Sequence, residues 1–258
     1  MPPLAILKTD YLPLYRLQQR YTLDKHTKKL TERTLNFDDF RFYLTAAAVY
    51  SSQIEGNHID LDSYMKYNES GMNTQGKSFL EIKDLIDAYQ FAAKNTLTAQ
   101  NVLAAHALLS ARFLDEIWRG NIRTEAVGIF AEGKKIYTAA PANIVATEFE
   151  KLLADTAFLI QQPLTTDQIF YYAAQIHLRL AQIHPFADGN GRMARLVEKW
   201  FLAAFLGEKA YTIASEKYYF THRKLYYTHI HLGSHYHELD YTHCLPFLLL
   251  LPRALRLC

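Results

Sequence analysis

Apolar residues recur every three or four positions over 37–55, 78–94, 99–117, 144–160, 166–183, 190–206 and 216–233, a period that predicts helices. The ends of these stretches carry matching signals. Asn36 can cap the first helix, Asp38 and Asp39 fall in its first turn, and Gly56-Asn57 stops it. Thr165 and Gln168 form a capping box ahead of a helix whose apolar face runs through Ile169, Tyr172, Ile176, Leu180 and Ile183, and which Pro185 ends. The next helix starts near Asn190, buries Leu196, Val197, Trp200 and Ala204, and terminates at Gly207. Residues 57–77 are polar with glycines and predict a long loop. One segment, 120–144, breaks the helical period. There Val127, Ile129, Ile136 and Tyr137 flank Ala131-Glu132-Gly133-Lys134, the pattern of a short β-hairpin. Such a hairpin needs something to pack on. The expected fold is mainly α, with the hairpin ahead of the loop at 184–195.

Composition changes this picture little. The 258 residues are half apolar and about a fifth charged, which fits one large globular domain or a domain with an N-terminal extension. A formal net charge of +2 points to neither a nucleic-acid nor a membrane partner. Cys244 and Cys258 sit near one end, cannot staple a domain, and point to a reducing, cytoplasmic setting. The first residues lack a basic segment followed by an apolar run, so no signal peptide is expected. The apolar stretch 244–258 has Pro246 and Pro252 bracketing five residues, far too short to span a bilayer, and predicts a buried closing helix.

Chemistry concentrates in twelve residues, His184-Pro-Phe-Ala-Asp-Gly-Asn-Gly-Arg-Met-Ala-Arg195, at a turn leading into a helix N-terminus. Gly189 and Gly191 allow backbone conformations in which successive N–H groups converge on one anion, and the helix end adds partial positive charge. Arg192 and Arg195 share the first turn and can fork around phosphate oxygens. Asp188 is the loop's carboxylate and would hold Mg²⁺ beside a polyphosphate. His184 can take a proton near neutral pH. Together they describe a nucleoside triphosphate in an anion nest, with metal and base set for attack by a hydroxyl.

These residues resemble the Fic family signature, His-x-Phe-x-(Asp/Glu)-Gly-Asn-Gly-Arg-x-x-Arg, at every defined position. The resemblance implies a Fic-type helical bundle that transfers AMP from ATP to a Ser, Thr or Tyr hydroxyl of a target protein, a nucleotidyltransfer called AMPylation. By position, it makes His184 the general base and Phe186 the anchor of the loop. It gives Asp188 the Mg²⁺, Gly189, Asn190 and Gly191 the phosphates, and Arg192 and Arg195 the β- and γ-phosphates. It makes the hairpin, about 124–139, a flap that docks the target through its main chain at Gly128, Ile129 and Phe130; a mere connector is the other reading. Tyr226 and Tyr227 lie where the family has aromatics near the adenine, and core tyrosine remains the alternative. The resemblance covers about 37–250 and implies a Fic domain over 58–258, an inhibitory helix over 36–57 and an N-terminal extension, 1–35, that carries no motif. Homodimers are common in the family.

Glu55 is the oddity of the first helix, since a carboxylate at a helix C-terminus is unfavourable by a few tenths of a kcal/mol. Ser51-Ser-Gln-Ile-Glu55-Gly56 resembles the (Ser/Thr)-x-x-x-Glu-(Gly/Asn) motif of one Fic class. There the glutamate pairs with the signature's second arginine, here Arg195, and occupies the place of the γ-phosphate. A carboxylate–guanidinium pair at about 4 Å is worth roughly 4 kcal/mol at an effective dielectric of 20 before desolvation. If about 2–3 kcal/mol survives, productive binding falls roughly 30- to 150-fold. An exposed glutamate with negligible pairing energy is the bland alternative. Three activities stay open: an autoinhibited AMP transferase, a Glu55-dependent de-AMPylase on the same fold, and a non-catalytic interaction module. The histidines at 222, 229, 231, 235, 237 and 243 are dense, with His231 and His235 at helical i, i+4 spacing, but match no zinc pattern and are expected to be structural or solvated.

Overall fold

The computed structural model describes residues 3–19, 23–32, 34–69, 76–131 and 133–255. Before the hairpin run α1 (Leu12–Gln18), α2 (Leu23–Glu32), α3 (Phe37–Ile54), α4 (Leu61–Glu69), α5 (Lys77–Lys94) and α6 (Ala99–Leu109). The hairpin is β1 (Gly128–Ala131) and β2 (Lys134–Thr138). It is followed by α7 (Val145–Ile160), α8 (Thr166–Ile183), α9 (Asn190–Leu206), α10 (Ser215–Thr221), α11 (Arg223–Ile230), α12 (Leu245–Leu248) and α13 (Leu250–Ala254). The fold is the mainly helical bundle the sequence predicts.

Helices α8 and α9 pack on each other at the centre and are buried around most of their circumference. A helix buried on nearly all sides must be enclosed, and α1, α2, α3, α5, α7, α12 and α13 pack around this pair. The local signals act as read. Asn36 accepts from the Asp39 N–H at 2.8 Å to start α3, and Gly56, at φ 98°, turns the chain away at its end. Gln168 accepts from the Thr165 N–H at 2.9 Å to start α8. The first residues are strapped to the core: Asp155 of α7 accepts the backbone N–H groups of Ala5, Ile6 and Leu7 at 2.8, 2.7 and 2.9 Å.

Several boundaries differ from the sequence pattern. The polar stretch 57–77 contains helix α4, capped by Asp60, which accepts from the Ser63 N–H at 2.9 Å. Its Tyr64 stacks on Phe79 with ring centroids 4.6 Å apart, so one buried aromatic holds an otherwise solvated helix. The helix expected over 99–117 ends at Leu109, where the Ser110 hydroxyl bonds back to the His106 carbonyl at 2.6 Å. The stretch 216–233 breaks at His222 into α10 and α11, and α11 ends at Ile230, so His231 and His235 do not share a helix. The closing helix breaks at Leu249 into α12 and α13; Cys258 lies outside the described residues.

The hairpin is antiparallel, with Ile129 opposite Tyr137 and Phe130 opposite Lys135. Its support is Tyr137, buried, whose hydroxyl donates to the Gln182 carbonyl of α8 at 2.8 Å. At the β2 end, the Thr138 N–H donates to the Ser234 carbonyl at 2.9 Å. Among the described residues β1 pairs only with β2, and its outer edge carries Phe130, 65 % exposed.

Candidate active site

The turn between α8 and α9 is held from below. Phe186 is fully buried, lies flat on His106 with centroids 3.7 Å apart, and meets Phe149 edge-on. Burying such a ring contributes roughly 2–3 kcal/mol to keeping the loop down. His106 receives the Gly120 N–H on Nδ1 at 2.9 Å, which leaves its proton on Nε2 to donate to the Asp188 carbonyl at 3.0 Å. Burial pushes the His106 pKa down to about 4, so the ring stays neutral and keeps that tautomer. Asn190 closes the loop with both amide atoms, accepting from the Phe186 N–H and donating to the Phe186 carbonyl, each at 2.9 Å. Its side chain is thus committed to the loop, and what Asn190 offers an anion is its backbone N–H. Gly189 has φ 81°, and a Cβ there would lie 3.0 Å from Leu109 and 3.1 Å from Phe113. Only glycine satisfies both demands.

His184 ends α8 in the left-handed conformation, φ 54°, unusual for a non-glycine residue. Arg123 holds it there. This buried arginine donates from Nε to the His184 carbonyl at 2.7 Å and from Nη2 to the Ala140 and Ile183 carbonyls at 2.6 and 3.3 Å. Its backbone N–H donates to Pro185 at 2.9 Å. One side chain therefore ties the hairpin's base to the active-site turn. The His184 Nδ1 lies 3.1 Å from the Ala181 carbonyl. A carbonyl only accepts, so Nδ1 carries the proton and Nε2 presents a lone pair. Burial lowers the His184 pKa, and Arg123 lowers it further, so the ring is an unprotonated base at neutral pH.

Across the turn, Arg195 is fully buried and clamped on three sides. Its Nε donates to Ser51 Oγ at 2.8 Å, its Nη2 to the Ser51 carbonyl at 3.0 Å and to Glu55 Oε1 at 2.6 Å, and its Nη1 to the Tyr226 hydroxyl at 3.3 Å. Burial alone would raise the Glu55 pKa. Arg195, then Arg192, outweigh it and hold the carboxyl below its usual range. Glu55 keeps about a third of its side-chain surface exposed. Arg192 lies over the Phe113 ring at 3.8 Å, with Asp188 and Glu81 oxygens 3.8 and 3.9 Å from its guanidinium. The Asp188 side chain is mostly exposed, and its Oδ1 accepts from the Gly189 N–H at 2.6 Å.

The structure thus brings His184, Asp188, Gly189, Asn190, Gly191, Arg192 and Arg195 to one turn, with Ser51 and Glu55 against it from α3. Tyr226 and Tyr227 part company. Tyr226 is buried with its hydroxyl against Arg195, so it takes the core alternative; a ring without an open face has none to give an adenine. Tyr227 is 42 % exposed, and its hydroxyl donates to the Ile54 carbonyl at 3.1 Å, capping the end of α3. Gly128, Ile129 and Phe130 lie on β1, which among the described residues pairs only with β2. Sequence reasoning missed Arg123 and His106. His106 did leave a signal, a titratable residue on the apolar face of Val102, Ala105 and Leu109. Arg123 left none.

Residues 96–202 match the family described as Fic/DOC. The chain is 28% identical over 157 residues to Protein adenylyltransferase Fic of Aedes aegypti, covering 57% of this chain and 30% of that protein. It is 30% identical over 157 residues to Protein adenylyltransferase fic-1 of Caenorhabditis elegans, covering 56% and 28%. It therefore spans under a third of the length of the curated relatives it matches. A Fic family protein from Desulfovibrio desulfuricans G20 has the same fold, with a TM-score of 0.78 at 23% identity, over 98% of this chain and 75% of that one.

Proposed function

Because residues 96–202 match the Fic/DOC family, we propose that this chain is an autoinhibited protein adenylyltransferase, moving AMP from ATP to a hydroxyl side chain of a target protein. The observation that carries the autoinhibition is the Glu55–Arg195 contact at 2.6 Å. The carboxylate lies against the N-terminus of α9, since a Cβ on Gly191 would come 2.3 Å from Glu55 Oε1. That is where the first N–H groups of a helix attract an anion, and where a triphosphate would end.

With Glu55 withdrawn, Arg195 and Arg192 pair with the β- and γ-phosphates and the 189–191 backbone holds the rest. Nε2 of His184 takes the proton of the target hydroxyl as its oxygen attacks the α-phosphorus. The bond from that phosphorus to the bridging oxygen breaks, and pyrophosphate leaves. Mg²⁺ fits at Asp188 in company with the nucleotide. Among the described residues no group of three His, Cys, Asp or Glu side chains could hold a metal alone, while Mg²⁺ commonly takes one carboxylate plus substrate phosphates. Bound there, it would neutralise phosphate charge. The open β1 edge supports docking of a target segment by strand addition. No described helix is long and apolar enough to cross a membrane; we assign the chain to the cytoplasm on its cysteine usage.

Self-labelling with fluorescent ATP and Mg²⁺ tests the reading. Glu55→Gly should label roughly 30- to 150-fold faster than the native chain, the equivalent of about 2–3 kcal/mol. His184→Ala should abolish labelling in the Glu55→Gly background. Equal labelling by native and Glu55→Gly protein sinks the latch. Release of AMP from a pre-modified target, lost in Glu55→Gly, would instead assign the reverse reaction.

A further inference from the structure

Beyond Arg195, four buried side chains from four helices, Tyr226, His177, Glu198 and Tyr219, form a continuous hydrogen-bonded line. The Arg195 Nη1 is 3.3 Å from the Tyr226 hydroxyl of α11, which is 2.9 Å from Nε2 of His177 on α8. Nδ1 of His177 is 2.7 Å from Oε2 of Glu198, one turn after Arg195 on α9, and the same oxygen accepts from the Tyr219 hydroxyl of α10 at 2.9 Å. His177, Arg195 and Glu198 are fully inaccessible to solvent.

Donor and acceptor rules orient the line. A carboxylate only accepts, so Nδ1 of His177 carries a proton toward Glu198. A guanidinium only donates, so the Tyr226 oxygen is the acceptor toward Arg195, and its own proton goes to Nε2 of His177. Every bond then pulls the same way: Glu198 fixes the imidazole, the imidazole fixes the phenol, and the phenol presents lone-pair density to Arg195. Outer-sphere carboxylate–histidine pairs orient metal ligands by the same logic. The neighbouring Lys199 does not neutralise Glu198, because it pairs with Glu216 at 2.7 Å. A buried polar line is costly unless each member is used, and aliphatic side chains would fill the same space more cheaply.

The bonds to Arg195 divide by origin. Ser51 and Glu55 reach it from α3 and its C-terminal end, whereas Tyr226 reaches it from α11 and is braced through His177 of α8. We propose that Tyr226, His177 and Glu198 are positioning residues that keep the Arg195 guanidinium aimed at the anion nest after Glu55 lets go. This rests on the reading of Arg195 as a phosphate ligand. The line spans 49 residues between His177 and Tyr226, and no local motif announces it.

Calorimetric titration of the full chain carrying Glu55→Gly and His184→Ala, which binds without turnover, tests this with ATP and AMP as probes. Tyr226→Phe removes one oxygen and Glu198→Gln one charge, each with little change of shape. Each should weaken ATP binding about tenfold, as expected for losing a hydrogen bond to a charged group, and leave AMP binding unchanged. The double variant should lose little more than the worse single one, since both act through the same bond. Arg195→Met serves as reference. If it binds ATP as its parent does, the phosphate role of Arg195 is what fails. If Arg195→Met weakens ATP binding while Tyr226→Phe and Glu198→Gln do not, the relay is overturned. Equal loss of ATP and AMP affinity would also overturn it, because the residues would then support the fold at large.

Discussion

Glu55 Oε1 lies so close to Gly191 that a methyl group placed there would come within 2.3 Å of it. The carboxylate sits at two helix ends at once. At the C-terminus of α3 it meets partial negative charge; at the N-terminus of α9 it meets partial positive charge and two arginines. The local penalty visible in the sequence is offset across the interface. With its pKa held below the usual range, Glu55 stays charged at neutral pH and keeps its pairing with Arg195.

Ser51 should matter second to Glu55. Its hydroxyl accepts from Arg195 Nε at 2.8 Å, and a hydrogen bond to a charged group contributes about 1.5 kcal/mol. Ser51→Ala is expected to raise self-labelling roughly tenfold, less than Glu55→Gly. Labelling at or above the Glu55→Gly rate would show that the serine, not the glutamate, holds the latch.

Arg123→Met should cost both stability and turnover. It unpairs the His184, Ala140 and Ile183 carbonyls, at about 1 kcal/mol each. A loss of about 3 kcal/mol lowers Tm by roughly 6–12 °C for a chain of this size. In the Glu55→Gly background kcat should fall, because the base loses its aim. Unchanged Tm by calorimetry would remove Arg123 from its bracing role.

His106 makes stability depend on pH. Its folded pKa is about 4 against an ordinary 6.5, so the unfolded chain takes up a proton over a range where the folded chain refuses it. The stabilisation from the neutral ring is complete above pH 6.5 and is lost as pH falls toward 4. It amounts to roughly 3 kcal/mol in all, about 2 kcal/mol of it gone by pH 5. Urea unfolding from pH 7 to 4.5 should show this slope, and His106→Gln should flatten it. An identical slope in the variant would assign the acid sensitivity elsewhere.

Asp155→Ala should free the N-terminal strap. Three backbone N–H groups lose their charged acceptor, and amide exchange at Ala5, Ile6 and Leu7 should accelerate about 100-fold. The exchange of α8 amides should stay slow. If α8 exchanges faster as well, the strap is part of the core.

The sequence by itself determined what short separations control. Caps, stops and the 184–195 turn depend on residues three to six positions apart, so the starts of α3 and α8, the Gly207 stop and the hairpin were all legible. The residues that resemble the Fic signature are contiguous, and through that resemblance Ser51 and Glu55 could be read beside Arg195. Tertiary structure decided what distance hides. Tyr64 finding Phe79 turns a polar stretch into α4. Arg123 reaches a histidine 61 residues away, and Ser51 and Tyr226 meet Arg195 from 144 residues before it and 31 after it. A buried polar group must find partners wherever the fold brings them, and no local period records where that is.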